Sequence, residues 1–243
     1  MFDASITAAA ADFWKRTGIR PTYPRSLEPA LFLALPIAVV RLPRLTLHHA
    51  IRWLGQREIA HHEDPRDRPL HGYLVARAGV GIVFLDGADP PDELRFSLTH
   101  EIAHFMVDYL FPRLAAISAF GDQILDVLDG FRRPTAEERL AGILKGVALG
   151  TYSHLGRRSD HGALGVDAIH AEDKADQLAL ELLAPASSVL SAARTLGTPT
   201  DSDAVTALIV DRFGLPSPIA RTYTRMVLNA LGAGRSFRDW LGP

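Results

Sequence analysis

The chain has 243 residues, of which 47% are hydrophobic, so it can bury a sizeable core. Its formal net charge of −2 gives no general attraction to nucleic acid or to an anionic membrane surface, and we expect neither partner. The sequence contains no cysteine, which excludes disulfides and thiolate metal sites. Imidazole and carboxylate groups are therefore the candidate metal ligands.

The N-terminus lacks the basic segment and the continuous apolar stretch of a secretory signal. The longest apolar run, from Ala30 to Val40, is interrupted by Pro36 and is too short to span a bilayer. We therefore expect a cytoplasmic protein.

The first 85 residues alternate between helical and strand patterns. We predict helices at residues 3–17, from about residue 26 or 28 onward and at 46–54, and strands at residues 36–42, 72–77 and 81–85. The first helix should end at Gly18. The last two strands are joined by a short turn containing Gly79, which predicts a hairpin.

The segment from Arg95 to Phe105 contains two histidines four residues apart, with a glutamate directly after the first. On a helix, His100 and His104 lie on one face one turn apart, so both imidazoles can reach one metal ion. Polar residues cover about one third of this helix, and the remainder is apolar. The polar stripe consists of Glu93, Ser97, His100, Glu101, His104 and Asp108. The pattern predicts a buried helix whose polar stripe faces a cavity.

This helix should begin near Asp89–Asp92, and Pro112 should end it soon after Leu110. Beyond that point the pattern is helical almost to the end. We predict helices at residues 114–128 and 135–149, a loop at 156–167, and a further helix from about residue 171. Thr135 and Glu138 form the capping-box pattern that opens the second of these.

A catalytic zinc ion normally has three protein ligands and one open position for water. Glu172 and Asp176 lie together at the edge of the apolar side of their helix, and carboxylates turned toward a core need a compensating charge. We predict Glu172 as the third ligand, with Asp176 accepting the free N–H of a ligating histidine. His161 and His170 remain rival ligands.

Residues 95–105 resemble the RF-x-L-x-HE-x-x-H segment of the ImmA/IrrE metallo-endopeptidases, and residues 172–185 are similar to that family's second segment. The resemblance implies a zinc endopeptidase with its metal-binding glutamate at Glu172, acting on a transcriptional repressor in the same cell. The 67 residues between His104 and Glu172 exceed the connection expected of that family. We therefore expect a domain at residues 1–198 with a helical insertion at about 112–165, followed by a C-terminal helical segment at 199–243.

In this interpretation a zinc ion held by His100, His104 and Glu172 makes hydroxide available near neutral pH, and Glu101 acts as general base. A further donor would stabilise the transition state. The candidates are Tyr152, His154, Arg157 and His161. We expect the substrate to be an extended protein segment that adds as a strand along residues 81–85.

Two alternatives stay open. A zinc-binding protein without proteolytic activity would not need Glu101. A DNA-binding regulator could use the helix-turn-helix pattern at residues 207–225, where Arg221 and Arg225 lie one turn apart. Because the net charge is close to neutral, we prefer the explanation of two packed C-terminal helices with a few surface arginines. We expect an α+β fold with a small, mostly antiparallel sheet packed on the HExxH helix and the second ligand helix, with a helical insertion and a helical C-terminus.

Overall fold

The computed structural model describes residues 2–59, 61, 66–140, 146–157, 166–197 and 201–230, with the backbone alone for Leu140, Arg157 and residues 166–170. The fold is α+β, as predicted. The chain forms two compact units, Leu31–Asp176 and Met1–Ala30 with Gln177–Pro243. The predicted boundary between a domain at residues 1–198 and a C-terminal helical segment at 199–243 stays a prediction.

The elements follow in chain order. They are α1 Ala4–Thr17, α2 Glu28–Ala34, β1 Ile37–Leu42, α3 Leu47–Gly55, β2 Leu70–Arg77, β3 Val80–Asp86, α4 Pro91–His104, a π-helical turn Phe105–Leu110, α5 Phe111–Phe120, a 3₁₀ turn Asp122–Ile124, α6 Leu125–Leu128, α7 Ala136–Leu140, β4 Tyr152–Arg157, α8 Val166–Leu183, α9 Ala186–Arg194, α10 Ser202–Phe213 and α11 Ser217–Ala230.

The four strands found in the described residues form one sheet in the order β1-β3-β2-β4. β2 is antiparallel to both β3 and β4, and β1 is parallel to β3, so the sheet is mostly antiparallel, as predicted. The predicted hairpin is β2–β3, and its turn residues Ala78 and Gly79 have φ values of 50° and 83°. Two positive φ angles in a two-residue turn define type I′, which matches the twist of the flanking strands.

The position of β3 corrects one expectation. Residues 81–85 were predicted to receive a substrate strand, but β3 pairs with β1 on one side and β2 on the other. Its backbone amides and carbonyls are therefore already bonded, and no further strand can add there. The outermost strands of the sheet are β1 and β4.

The two faces of the sheet differ in what covers them. One face packs with α3 around a buried cluster. This cluster consists of Leu45, Leu47, Ala50, Leu54, Leu70, Tyr73, Val75 and Phe84. The other face lies against α4, and glycines on the strands make room for its side chains: Gly81 lies beside Phe105, and Gly72 lies beside Glu101. This close approach brings the polar stripe of α4 up to the sheet.

Several helix ends lie where the capping residues of the sequence predict them. Asp3 caps α1 by accepting from the amide of Ser5 at 2.8 Å, and Gly18 ends it with a φ of 65°. Thr135 and Glu138 form the predicted capping box, with the Thr135 amide donating to Glu138 Oε2 at 2.7 Å and the Glu138 amide donating to Thr135 Oγ1 at 3.3 Å. Each bond satisfies an amide that the helix itself leaves without an acceptor.

The prediction that Pro112 ends the metal-site helix is wrong. The chain continues from α4 through the π-helical turn into α5. Pro112 follows the π-helical turn directly, in the first turn of α5, and the helical chain passes through the proline without ending.

The predictions for the following segment need three corrections. The helix expected at 114–128 is interrupted at Gly121, whose φ is 74°. The helix expected to reach Leu149 does not, because residues 147–149 have no regular structure, while 141–145 lie outside the described residues. The strand β4 was not predicted at all. Its six residues carry too little periodicity to be separated from a loop, and pairing with β2 stabilises it.

The unit Met1–Ala30 with Gln177–Pro243 is helical in its described residues. The Tyr223 hydroxyl donates to the Ala184 carbonyl at 2.9 Å, and Trp14 Nε1 donates to the Leu182 carbonyl at 3.2 Å. The predicted helix, glycine turn and helix are present as α10 and α11, with Gly214 between them. In the part of the chain that the structure describes, each helix is too short or too polar to cross a bilayer.

Candidate metal centre

The unit Leu31–Asp176 contains one cluster of metal-ligand side chains among its described residues. α4 contributes His100 and His104, α8 contributes Glu172, and β4 contributes His154. One ligand atom from each residue lies within 4.8 Å of every other. The structure thus brings together the three predicted ligands, and it adds a third imidazole.

The three predicted ligands are spaced as one ion would require. His100 Nε2 lies 3.2 Å from His104 Nε2, and Glu172 Oε2 lies 3.5 Å from the first and 3.6 Å from the second. Tetrahedral ligands with zinc bonds of about 2.0–2.1 Å lie about 3.3 Å apart. The observed spacing therefore suits a single ion of this size.

Each of the two α4 histidines is oriented by its own carboxylate. His100 Nδ1 donates to Asp176 Oδ1 at 3.0 Å, and His104 Nδ1 donates to Asp108 Oδ2 at 2.6 Å. An ionised carboxylate can only accept, so Nδ1 of each ring carries a hydrogen, and Nε2 of each ring faces the centre as the atom that a metal ion would bind. The Asp176 contact is the one predicted. Asp108 was placed in the polar stripe of the helix, but its partner was not predicted.

This arrangement fits a cation. Two Nε2 lone pairs facing each other at 3.2 Å repel unless a proton or a metal ion lies between them. Imidazole nitrogen and a carboxylate oxygen, without thiolate, suit zinc and several neighbouring divalent metals. The cluster could hold one such ion.

The electrostatics of the cluster also favour added positive charge. Burial lowers the pKa of His100, but hydrogen bonds with Asp176 and Glu172 outweigh it and raise the pKa to about 10. Burial raises the pKa of Glu172, but hydrogen bonds with His100, His104 and His154 outweigh it and hold that pKa far below its ordinary value. Glu172 is therefore ionised, and a bound cation would replace the protons that otherwise balance the carboxylates.

His154 contacts Glu101, Glu172 and His104. Its Nε2 is 2.9 Å from Glu172 Oε1, and its ring stacks on the His104 ring with centroids 3.5 Å apart. Its Nδ1 donates to Glu101 Oε2 at 2.9 Å. Burial lowers the pKa of His154, but the charge and hydrogen bond of Glu101 raise it to about 9.

Glu101 is buried, with 1% of its surface exposed. Its carboxylate packs against two glycines that face each other in neighbouring strands, Gly72 of β2 and Gly156 of β4. A Cβ atom would lie 2.8 Å from Glu101 Oε1 at the first glycine and 2.6 Å from it at the second. The absence of both side chains therefore makes the room that this carboxylate occupies.

The candidate transition-state stabilisers have different positions. The Tyr152 hydroxyl donates to Asp108 Oδ2 at 3.3 Å, and burial together with the charge of Asp108 raises the pKa of Tyr152, which keeps the phenol protonated. His154 bonds Glu101 and Glu172. The side chain of Arg157 and the whole of His161 lie outside the described residues, as does the side chain of His170, so their roles stay predictions.

The possible ligand role of His154 was missed from the sequence. In the structure Tyr152, His154 and Gly156 share the face that meets α4, but Ser153 between them is also polar, so the sequence shows no clear strand alternation that could have indicated this role.

A comparison with models of known protein families and with curated proteins gives no match to this chain.

Proposed function

We propose that the protein is a zinc-dependent endopeptidase that hydrolyses peptide bonds of an intracellular protein. The observation that carries the proposal is the convergence of His100, His104 and Glu172 on one point, with Glu101 directly after the first histidine. Peptide hydrolysis needs a base beside the ligands, and Glu101, which follows His100 in the sequence, is the candidate for it.

His100 and His104 would hold the ion through Nε2, and Glu172 through its carboxylate. When bound, a zinc ion polarises a carbonyl and lowers the pKa of a water molecule from about 9 toward 7. Glu101 would take a proton from the attacking water and deliver it to the departing amide nitrogen. Its Oε2 accepts the hydrogen of His154 Nδ1 at 2.9 Å, and this bond orients the carboxylate.

The substrate in this proposal is an extended segment that pairs with β4. β2 occupies one edge of this strand, and in the described part of the chain no strand pairs with the other. Backbone pairing along β4 would hold a peptide beside His154, which is itself a member of the cluster. The resemblance to the ImmA/IrrE family supports a transcriptional repressor as the protein that supplies this segment.

The test replaces Glu101 with Gln. The variant should still bind zinc but should lose cleavage of a library of unstructured peptides, by roughly 10²- to 10⁴-fold, because the general base is gone. The matched control is Glu137→Gln, which alters an exposed glutamate on α7 and should cleave like the unaltered protein. Unchanged cleavage by Glu101→Gln would remove the base from this mechanism.

One observation favours a second function, a metal-binding protein without catalysis. Glu101 is buried and already has a partner, and His154 could complete a ligand set of four. Absence of cleavage over the whole peptide library, with zinc bound, would support this alternative.

A DNA-binding role for residues 199–243 rests on Arg221 and Arg225, which are exposed on α11. Both could contact phosphates. Duplex binding that weakens steeply with salt would support such a regulator.

A further inference from the structure

The surroundings of His154 repeat those of the other two histidines. In all three rings Nδ1 donates to a carboxylate, and the partners are Asp176, Asp108 and Glu101. We propose that His154 is a fourth protein ligand that closes the resting metal centre, and that Glu101 is the carboxylate that orients it. This inference rests on the metal site of the proposed function and deepens it.

The orientation of His154 supports the first part. With its hydrogen on Nδ1, the ring turns a lone pair on Nε2 toward Glu172 Oε1 at 2.9 Å. Two acceptors at this distance repel unless a proton or a metal ion lies between them, and a bound ion would take the place of that proton. The same situation holds between His100 and His104, so one ion would relieve both repulsions at once.

The position of Glu101 supports the second part. The carboxylate is confined on one side by Gly72 and Gly156, and its other oxygen meets His154. A side chain that is 1% exposed and enclosed in this way has one orientation available. β4 in turn is bonded to β2, so both the ring and its partner are held by the sheet.

The consequence concerns access to the centre. Four protein ligands are typical of structural zinc sites, while catalytic sites keep one position for water. With His154 in place the resting centre is therefore closed, and Glu101 is engaged with the ring. Because His154 belongs to an outer strand of the sheet, a peptide that pairs with β4 acts on the element that carries the closing ligand. The centre opens when that ring leaves.

X-ray absorption of the zinc-loaded full chain counts imidazole ligands and tests this assignment. The unaltered protein should show three imidazoles and His154→Ala two. His49→Ala, which alters an exposed histidine on α3, should still show three. A count of two in the unaltered protein overturns the assignment of His154 whether or not the variants fold.

Acetohydroxamate gives an independent measure of access in the cobalt-loaded protein. The visible spectrum of the cobalt-loaded unaltered protein should not change when acetohydroxamate is added. The spectrum of cobalt-loaded His154→Ala should change, because one coordination position on the metal is open. A spectral change of equal size in the unaltered protein overturns the closed resting state. Two imidazoles with cleavage lost in Glu101→Gln would leave the proposed endopeptidase intact, whereas absence of zinc binding would remove both proposals.

Discussion

At the level of single residues, the contacts behind the ligands decide what the ligands can do. His104 is buried, and its Nδ1 bond to Asp108 at 2.6 Å leaves its Nε2 lone pair facing the centre. Asp108 also accepts the Tyr152 hydroxyl at 3.3 Å, so two donors fix this carboxylate. An orienting carboxylate of this kind raises the basicity of the imidazole and keeps its tautomer.

Replacement of Asp108 with Asn should therefore weaken metal binding about 10- to 100-fold, the usual cost of losing such a partner. The amide keeps the shape but cannot offer a charged acceptor. Titration of zinc against a chromophoric chelator measures the change, and Asp173→Asn on the exposed side of α8 is the control. Zinc affinity equal to that of the unaltered protein would show that Asp108 does not position His104.

The glycines next to Glu101 make a second prediction at this scale. Gly156→Ala places a methyl group 2.6 Å from Glu101 Oε1, so the buried carboxylate or the strand has to move. We expect a loss of about 1–3 kcal/mol in the free energy of unfolding, the range for overpacked interiors. The measurement is a urea unfolding curve with no metal present.

Gly55→Ala is the matched control for this change. Its added methyl group would have its nearest neighbour at 3.8 Å, and Gly55 ends a helix, so the substitution should be neutral or stabilising by up to about 1 kcal/mol. Equal stability of Gly156→Ala and the control would contradict the close packing of Glu101.

At the level of elements, the sequence predicted what local contacts decide. The ends of α1 follow from Asp3 and Gly18, and the start of α7 follows from Thr135 and Glu138. The predicted polar stripe of α4 also extends into the π-helical turn, where Asp108 lies one turn from His104 and bonds it. Such signals act within four residues, where the sequence can be interpreted directly.

What the sequence could not provide depends on distant partners. β4 is six residues long and is stabilised by β2, whose residues lie more than 70 positions earlier in the chain. The pairing of its last residues with β2 is also irregular, because the register shifts between Leu70 and Gly72. Because β4 was missed, His154 was considered only as a transition-state stabiliser, and the ligand cluster was one residue short.

The turn of the β2–β3 hairpin gives a prediction that belongs to this scale. Ala78 has a φ of 50°, a left-handed conformation that costs an L-residue roughly 1–2 kcal/mol. Ala78→Asn should raise the free energy of unfolding by about 0.5 kcal/mol, because Asn-Gly is the preferred type I′ sequence. Gly79→Ala, at a φ of 83°, should lower it. Urea midpoints that move in the opposite directions would contradict this turn geometry.

At the level of the whole molecule, the candidate centre joins segments that are far apart in the chain but belong to one compact unit. Its ligands come from α4, β4 and α8, and they all lie within Leu31–Asp176. An ion at this position would therefore connect three elements, and its binding energy would stabilise the folded unit relative to the unfolded chain. The catalytic proposal and the proposed closed state both depend on that ion.

Metal content per chain tests this dependence most directly. Elemental analysis of the purified protein after dialysis against zinc should find one zinc ion per chain. The double variant His100→Ala/His104→Ala should retain almost none, while His49→Ala should keep the full amount. An unaltered protein that holds no stoichiometric zinc, or a double variant that holds as much as the unaltered protein, would contradict the account.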